Sequence, residues 1–397
     1  MNRANCAIVI PARWGSKRLP GKPLLEISGK PIISLVIERA LKSKYASKVI
    51  VATDHKEIKK IATDAGAEAI MTRGDHINGT ERVIEVAELY DYDYYINVQG
   101  DEPFVSPKDI DKLINSLKKD RDIVSLCSIE KKEDIESSNN VKVVFDEDYN
   151  AIYFSRNTIP YGTDYVYKHM GVYGFRKEVL KKIKKLTKTN LEDYESLEQL
   201  RWINNGIKIK MEITKNNTIG IDTKDDLETA REIFFMNNLQ AIVSDVDGVL
   251  TDGRLSYGPN GEEVKLFHCH DGLAIKSLIN QGIKIGWISS RNSKALRFRA
   301  KELGISNTLF GIKDKRSGSK KLITDMNINP KYSIYIGDDS NDIEASKYFG
   351  KIFAVSNSTE EFKRCATNLL KTSGGCGVFR EIQQKINKIS EKFNNDL

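Results

Sequence analysis

Two kinds of hydrophobic pattern alternate along the first part of the chain. "CAIVIPAR", "KVIVATD", "AEAIMT" and "YYINVQGD" carry short apolar runs of the kind found in strands buried on both faces. Between them, "PIISLVIERALKS", "HKEIKKIATDAG" and "RVIEVAELY" repeat their apolar residues at helical spacing. This alternation predicts a βαβ array with a parallel sheet, whose ligands sit beyond the carboxyl ends of the strands. Arg13, Asp54 and the group Gln99 to Asp101 stand at those ends.

A second array begins at "QAIVSD" and continues through "GLAIKSLINQG", "IKIGWISS", "ALRFRAKELG", "YSIYIGDD" and "IEASKYFG". At 397 residues the chain exceeds the size at which a single core stops growing. Two α/β domains are therefore expected, each Rossmann-like and three-layered, over residues 1–237 and 238–397. The first closes with "GIDTKDDLETAREIFFMNN", where Thr223 or Asp225 can cap a helix. The final segment places Ile382, Ile386, Ile389 and Phe393 on one stripe, which predicts a docking helix.

Composition narrows the function. Hydrophobic residues at 40% and charged residues at 29% suit a soluble globular protein and exclude a disordered or membrane chain. The first apolar run is too short for a signal segment or a membrane span, so a cytoplasmic protein is expected. A net charge of +7 raises the question of a nucleic-acid partner. In the densest basic run, however, Val179, Leu180, Ile183 and Leu186 fall at helical spacing, and the lysines read as a solvated face. Anionic small molecules are the expected partners, not nucleic acid. Cys6, Cys127, Cys269, Cys365 and Cys376 are scattered and form no CxxC pair, as expected of reduced thiols. Cys269 between His268 and His270 is expected on an extended strand, whose neighbouring side chains diverge too far for a metal cluster.

The loop "PARWGSKRLPGKPL" gathers Arg13, Lys17, Arg18 and Lys22 around Gly15 and Gly21. Such a loop at a strand end can cradle a triphosphate or be merely a solvated basic turn. It is not a Walker A loop, because Pro23 stands where Ser or Thr would bind magnesium. Taken alone, Asp222 and His169 also read as a loop carboxylate and a core histidine.

In order, "IPARWGSKRLPGKPL", "VATDH", "MTRGDHINGTERVIEV", "NVQGDEP", "YFSRNTIPY", "HMGVYGFR", "LEQLR" and "GIDTKDDLETAR" resemble the 3-deoxy-manno-octulosonate (Kdo) cytidylyltransferases, the CMP-Kdo synthetases. The resemblance covers nearly all of residues 4–235 and implies the nucleotidyltransferase fold. It also implies that the anomeric hydroxyl of Kdo attacks the α-phosphorus of CTP. Arg13 and Lys22 would contact the triphosphate, Asp101 and Asp222 would hold Mg²⁺, and Gln99 would recognise nucleotide and sugar. Arg73, Arg156, His169, Tyr173, Glu198 and Gln199 would line the sugar site.

"VSDVDGVLTDG" places Asp245 and Asp247 just past a strand, the arrangement for an attacking carboxylate and a neighbouring acid/base. With Ser289 in "WISSR", Lys315 in "GIKDK" and Asp338, Asp339 and Asp342 in "YIGDDSND", this resembles the haloacid dehalogenase superfamily, in its Kdo 8-phosphate phosphatase branch. The resemblance makes Asp245 the nucleophile and Asp247 the acid/base, with Ser289 and Lys315 on the phosphoryl group. Asp338, Asp245 and the Asp247 carbonyl would hold Mg²⁺, with Asp342 as nearby support. His270 stands where the branch commonly has Arg, which leaves the exact sugar open; the alternative is activation of a related 2-keto acid sugar, a nonulosonate or amino-Kdo, with a matching or non-catalytic C-terminal phosphatase module. Only 43 residues separate Asp245 from Ser289, room for a hairpin and a helix but not a large cap. Capless members complete their sites with a neighbouring subunit, so a homo-oligomer is expected, a tetramer through the C-terminal domain.

Overall fold

The computed structural model describes residues 4–15, 18–134 and 137–393, so Lys17 lies outside the described residues. Phe235–Glu391 forms one compact unit, and the residues on either side of it form the other.

In the first unit the strand Cys6–Ala12 is buried along its whole length. It lies between Lys48–Thr53 and Tyr94–Asn97, both parallel to it, and Glu68–Met71 extends the parallel side. Beyond Tyr94–Asn97 the sheet becomes mixed. Tyr165–Arg176 runs antiparallel to both Tyr94–Asn97 and Ile123–Lys131, while Ile209–Thr214 is parallel to the latter. The purely parallel sheet expected from the hydrophobic pattern thus holds for one side only. Between Ile123–Lys131 and Tyr165–Arg176 the chain forms the hairpin strands Lys142–Phe145 and Ala151–Ser155. A strand reached without a helical crossover enters antiparallel.

The long strand Tyr165–Arg176 shifts register between Met170 and Tyr173. Gly171 lies within that irregularity, and a Cβ there would stand 3.8 Å from Gln99 Cγ. The bulge therefore brings this strand against the loop after Tyr94–Asn97, where nucleotide and sugar were expected to meet.

The second unit is built on a sheet in the order Asn307–Phe310, Lys284–Ser289, Ala241–Asp245, Ser333–Gly337, Lys351–Ala354 and Asn368–Leu369. Its pairs are all parallel. Ala241–Asp245 sits where the strand order reverses, so its carboxyl end opens on the crevice that such sheets use for ligands. A small hairpin, Ser256–Tyr257 with Glu263–Val264, and the helix Cys269–Asn280 fill the interval before Lys284–Ser289.

That helix corrects one expectation. His268, Cys269 and His270 do not continue a strand: His268 caps the helix, its ring Nδ1 accepting the His270 N–H at 3.3 Å. Asp271, in the first turn, accepts the Phe379 N–H at 2.7 Å and so holds the start of the helix Val378–Phe393. Val378, Phe379, Ile382 and Ile386 of that helix pack into the core with Ile242, Trp287 and Phe353. No helix among the described residues is long and apolar enough to cross a membrane.

Candidate active sites

The first site is assembled from loops that follow strands. Lys22 projects its ammonium between two carboxylates distant in sequence, pairing closely with Asp101 and lying 3.0 Å from Asp222 Oδ1. Arg18 reaches the other oxygen of Asp222 at 2.9 Å. Burial disfavours the charge on Lys22, but Asp101 and then Asp222 outweigh it and raise its pKa. Asp222 is displaced the other way: burial would raise its pKa, but Lys22 and Arg18 lower it. Asp101 and Asp222 therefore converge on a point that already accommodates a cation.

A cavity of 470 Å³ opens beside this cluster, lined by Arg13, Gly15, Arg18, Lys22, Gln99, Asp101 and Asp222. An adjoining one of 930 Å³ shares Arg13, Gln99, Asp101 and Asp222 and extends past Arg156, His169, Tyr173, Glu198 and Gln199. A Cβ on Gly171 would only reach ordinary contact with Gln99, whereas one on Gly79 would come to 3.2 Å from its Oε1. Small residues on both sides thus give its amide room between the two cavities.

The walls differ in what they can offer. His169 is buried, with Nε2 3.0 Å from Ser125 Oγ, and burial lowers its pKa to about 3. It is a neutral hydrogen-bonding surface and not a titrating base. Glu198 accepts a hydrogen bond from Thr80 Oγ1 at 2.8 Å, and burial nevertheless raises its pKa to about 7. Glu102, beside Asp101, is raised to about 7 for the same reason, and its Oε2 has no hydrogen-bond partner. Arg156 spends guanidinium donors on the Glu195, Ser138 and Ser196 carbonyls, at 2.8, 3.1 and 3.4 Å. Arg73 is not on the large cavity: it is exposed on a neighbouring groove that shares Asn78 and Glu198.

One buried element escaped the sequence reading. Arg82 pairs with Asp54 at 2.6 Å, and Asp54 in turn accepts the Trp14 N–H at 3.1 Å. The Trp14 ring stacks on His55 with centroids 4.3 Å apart. The basic loop is therefore moored at the end of strand Lys48–Thr53. Asp54 stood out as a strand-end residue, but nothing in the local pattern linked it to Arg82.

In the second unit Asp245 closes strand Ala241–Asp245, with Val246 N–H donating to its Oδ1 at 2.7 Å. Lys315 lies 2.7 Å from Asp245 and 2.8 Å from Asp342, whose Oδ1 also accepts from Tyr335 at 2.7 Å. Asp245, Asp338 and Asp342 each bring an oxygen within 4.8 Å of the others. Burial, followed by repulsion from Asp342, raises the Asp245 pKa well above the carboxylate range. The same two causes push Asp338 up to about 7. Asp338 Oδ1 is buried without a partner, and a Cβ on Gly248 would fall 2.0 Å from its Oδ2. Crowded carboxylates with an orphaned oxygen fit a divalent cation. Asp342, assigned only a supporting place from the sequence, sits inside the cluster.

Asp247 turns its side chain elsewhere. Its Oδ2 accepts from Ser289 Oγ at 2.9 Å, and its Oδ1 pairs with Lys265. Ser289 thus addresses Asp247, where the resemblance placed it on a phosphoryl group. Lys265 lies in the stretch "DGRLSYGPNGEEVKLFHCHDGLAIK", which also resembles the phosphatase branch, but that resemblance gives it no role.

Residues 7–209 match the family model described as cytidylyltransferase. The 3-deoxy-manno-octulosonate cytidylyltransferase of Thermodesulfovibrio yellowstonii is 43% identical over 244 residues, covering 56% of this chain and 96% of that one. The chain belongs to the cytidylyltransferase family. A solved CMP:2-keto-3-deoxy-manno-octonic acid synthetase complexed with CTP is 42% identical, with a TM-score of 0.56, and covers 58% of this chain and 98% of that one. These matches fall on the first unit of this cytidylyltransferase. Residues 311–382, in the second, match the haloacid dehalogenase-like hydrolase model. A cobalt-bound deoxy-D-mannose-octulosonate 8-phosphate phosphatase from Haemophilus influenzae is 38% identical, with a TM-score of 0.38, over 39% of this chain and 91% of that one.

Proposed function

We propose that this cytidylyltransferase is bifunctional: it hydrolyses Kdo 8-phosphate to Kdo and orthophosphate, then couples Kdo to CTP, releasing pyrophosphate. The observation that carries the reading is that one chain builds two carboxylate clusters, each with its own lysine: the half-buried Lys22 between Asp101 and Asp222, and the buried Lys315 between Asp245 and Asp342.

In the second unit Asp245 attacks the phosphorus, and the ester bond to the sugar oxygen breaks as Asp247 gives that oxygen a proton. Asp247 then takes a proton from water, which opens the aspartyl-phosphate and releases orthophosphate. Lys315 offsets the negative charge that the attack brings together. In the first unit the Kdo hydroxyl reaches the α-phosphorus from the larger cavity, while Arg13 and Lys22 meet the triphosphate from the smaller. Mg²⁺, the ion we assign to both sites, would be held by Asp101 and Asp222, and by Asp245, Asp338 and the Asp247 carbonyl, and would neutralise phosphate charge.

Purified protein given Kdo 8-phosphate, CTP and Mg²⁺ should release orthophosphate and form CMP-Kdo. Activation of free Kdo without orthophosphate release would confine the reading to the first unit. Preference for a nonulosonate or an amino-Kdo in a competition assay would transfer it to that sugar.

Glu198 makes the sugar step pH-dependent. Its folded pKa of about 7 lies above the ordinary 4.5, so it is neutral at low pH and charges as pH rises through 7. The KM for the anionic sugar should then rise severalfold between about pH 6 and 8, by like-charge repulsion across a buried wall. Glu198→Gln should flatten that rise, and an unchanged profile would exclude Glu198 from the sugar wall.

We also propose that the second unit self-associates, as a tetramer, and that the enzyme works in the cytoplasm. Tyr257, Leu266, Leu273 and Phe298 are 62%, 79%, 60% and 74% exposed, apolar side chains that a neighbouring subunit would cover. Sedimentation should give a tetramer that Leu266→Asp dissociates; a wild-type monomer would remove the assignment.

A further inference from the structure

The hairpin beside the phosphatase site has its faces inverted. From the strand Glu263–Val264 into the two residues that follow it, exposure alternates, with Glu263 and Lys265 covered and Val264 and Leu266 exposed. The charged pair is the buried one: side-chain exposure is 14% for Glu263 and 2% for Lys265, while Val264 and Leu266 are 42% and 79% exposed. A lysine this deep needs a partner, and it has two. Its Nζ lies 2.7 Å from Glu263 Oε1 and pairs closely with Asp247 Oδ1.

From this geometry, and resting on the phosphatase reading above, we propose that Lys265 is a positioning residue. It fixes the hairpin to Asp247 and sets the orientation in which that carboxyl group meets the leaving oxygen of the ester.

Asp247 is a side chain with two rotatable bonds, held from opposite sides. Ser289 at the end of strand Lys284–Ser289 binds one oxygen, and Lys265 from the hairpin binds the other. With Lys265 removed, Ser289 alone holds the carboxyl group, which can then rotate away from the bridging oxygen. Glu263 completes the device as a second ion-pair partner of the ammonium. The reaction balances as before: the proton passes from Asp247 to the sugar oxygen as the phosphorus–oxygen bond breaks. Lys265 exchanges no proton and touches no substrate atom.

A positioned acid matters most where the leaving group needs a proton. An alkyl ester such as Kdo 8-phosphate expels a strongly basic alkoxide unless protonated, whereas p-nitrophenyl phosphate expels a stable phenolate. Lys265→Met should therefore lower kcat on Kdo 8-phosphate by roughly 10- to 100-fold, a share of what a placed general acid supplies. On p-nitrophenyl phosphate the loss should be under about threefold, which also shows that the variant is folded. Lys265→Arg should restore part of the alkyl-ester rate. Glu263→Gln, which leaves the Asp247 contact in place, should show the same selectivity at smaller size. Equal losses on both esters in Lys265→Met and Glu263→Gln would overturn the positioning role while the phosphatase reading stands. A wild-type protein that hydrolyses neither ester would remove the phosphatase reading and this proposal together.

Discussion

Asp245→Asn should abolish orthophosphate release from Kdo 8-phosphate, by at least about 10⁴-fold, while the coupling of free Kdo to CTP proceeds at the wild-type rate. An amide has no anionic oxygen to attack phosphorus, and the neighbouring carboxylates have other work: Asp338 would be taken up by the metal ion. Asp342 is held by Lys315 and Tyr335, and Asp247 by Ser289 and Lys265. The substitution should not harm the fold. Burial and the charge of Asp342 already resist ionisation of Asp245, so a neutral group there relieves repulsion. Lys315 keeps Asp342 at 2.8 Å. The variant should accordingly melt no lower than wild type at pH 8 without added metal. The sign follows from linkage: a carboxyl group whose folded pKa is raised stabilises the fold when protonated and loses that contribution as pH rises. Phosphate release that persisted in a folded Asp245→Asn protein would require a different nucleophile.

The legible parts of this enzyme are those where residue type and strand position coincide. Asp101, Asp222 and Asp338 are carboxylates in loops or just past strands and Asp245 ends one, and a pattern of apolar runs locates strand ends well. The parts that escaped depend on pairings between distant segments. Tyr165–Arg176 looks like any buried strand, and its antiparallel entry comes from the hairpin before it, which carries no helical period to read. The His268–His270 stretch turns helical because His268 caps it and Asp271 ties it to Phe379, 108 positions away. Lys265 and Arg82 were invisible for a related reason. A lysine in a polar hairpin and an arginine on a helix both read as solvated until a partner from another segment is seen to bury them. Arg156 shows the converse: its type suited a carboxylate ligand, but backbone carbonyls already occupy much of its donor capacity.

Lys22→Met should separate the two reactions from the other direction. Cytidylyl transfer should fall by roughly 10²–10³-fold, the loss typical when one preorganised charge is removed from a developing oxyanion. Phosphatase turnover should be unaffected, so protein given Kdo 8-phosphate and CTP should accumulate free Kdo. The same variant tests what the lysine does before substrate arrives. Its ammonium lies between Asp101 and Asp222 and occupies the point where a divalent cation would be held. Methionine has similar length and no charge, so the carboxylates regain their mutual repulsion and lose their internal competitor, while Arg18 still engages Asp222 at 2.9 Å. In the absence of CTP, calorimetry on an Asp245→Asn background should find that adding Lys22→Met tightens Mg²⁺ binding to the first unit, even as activity collapses. Weaker Mg²⁺ binding would mean that Lys22 organises the carboxylates for the ion and does not compete with it. Retained transfer would exclude Lys22 from the triphosphate site. Tighter binding with lost transfer assigns the lysine two successive partners, the empty carboxylate pair first and the phosphates of CTP once the ion has replaced it.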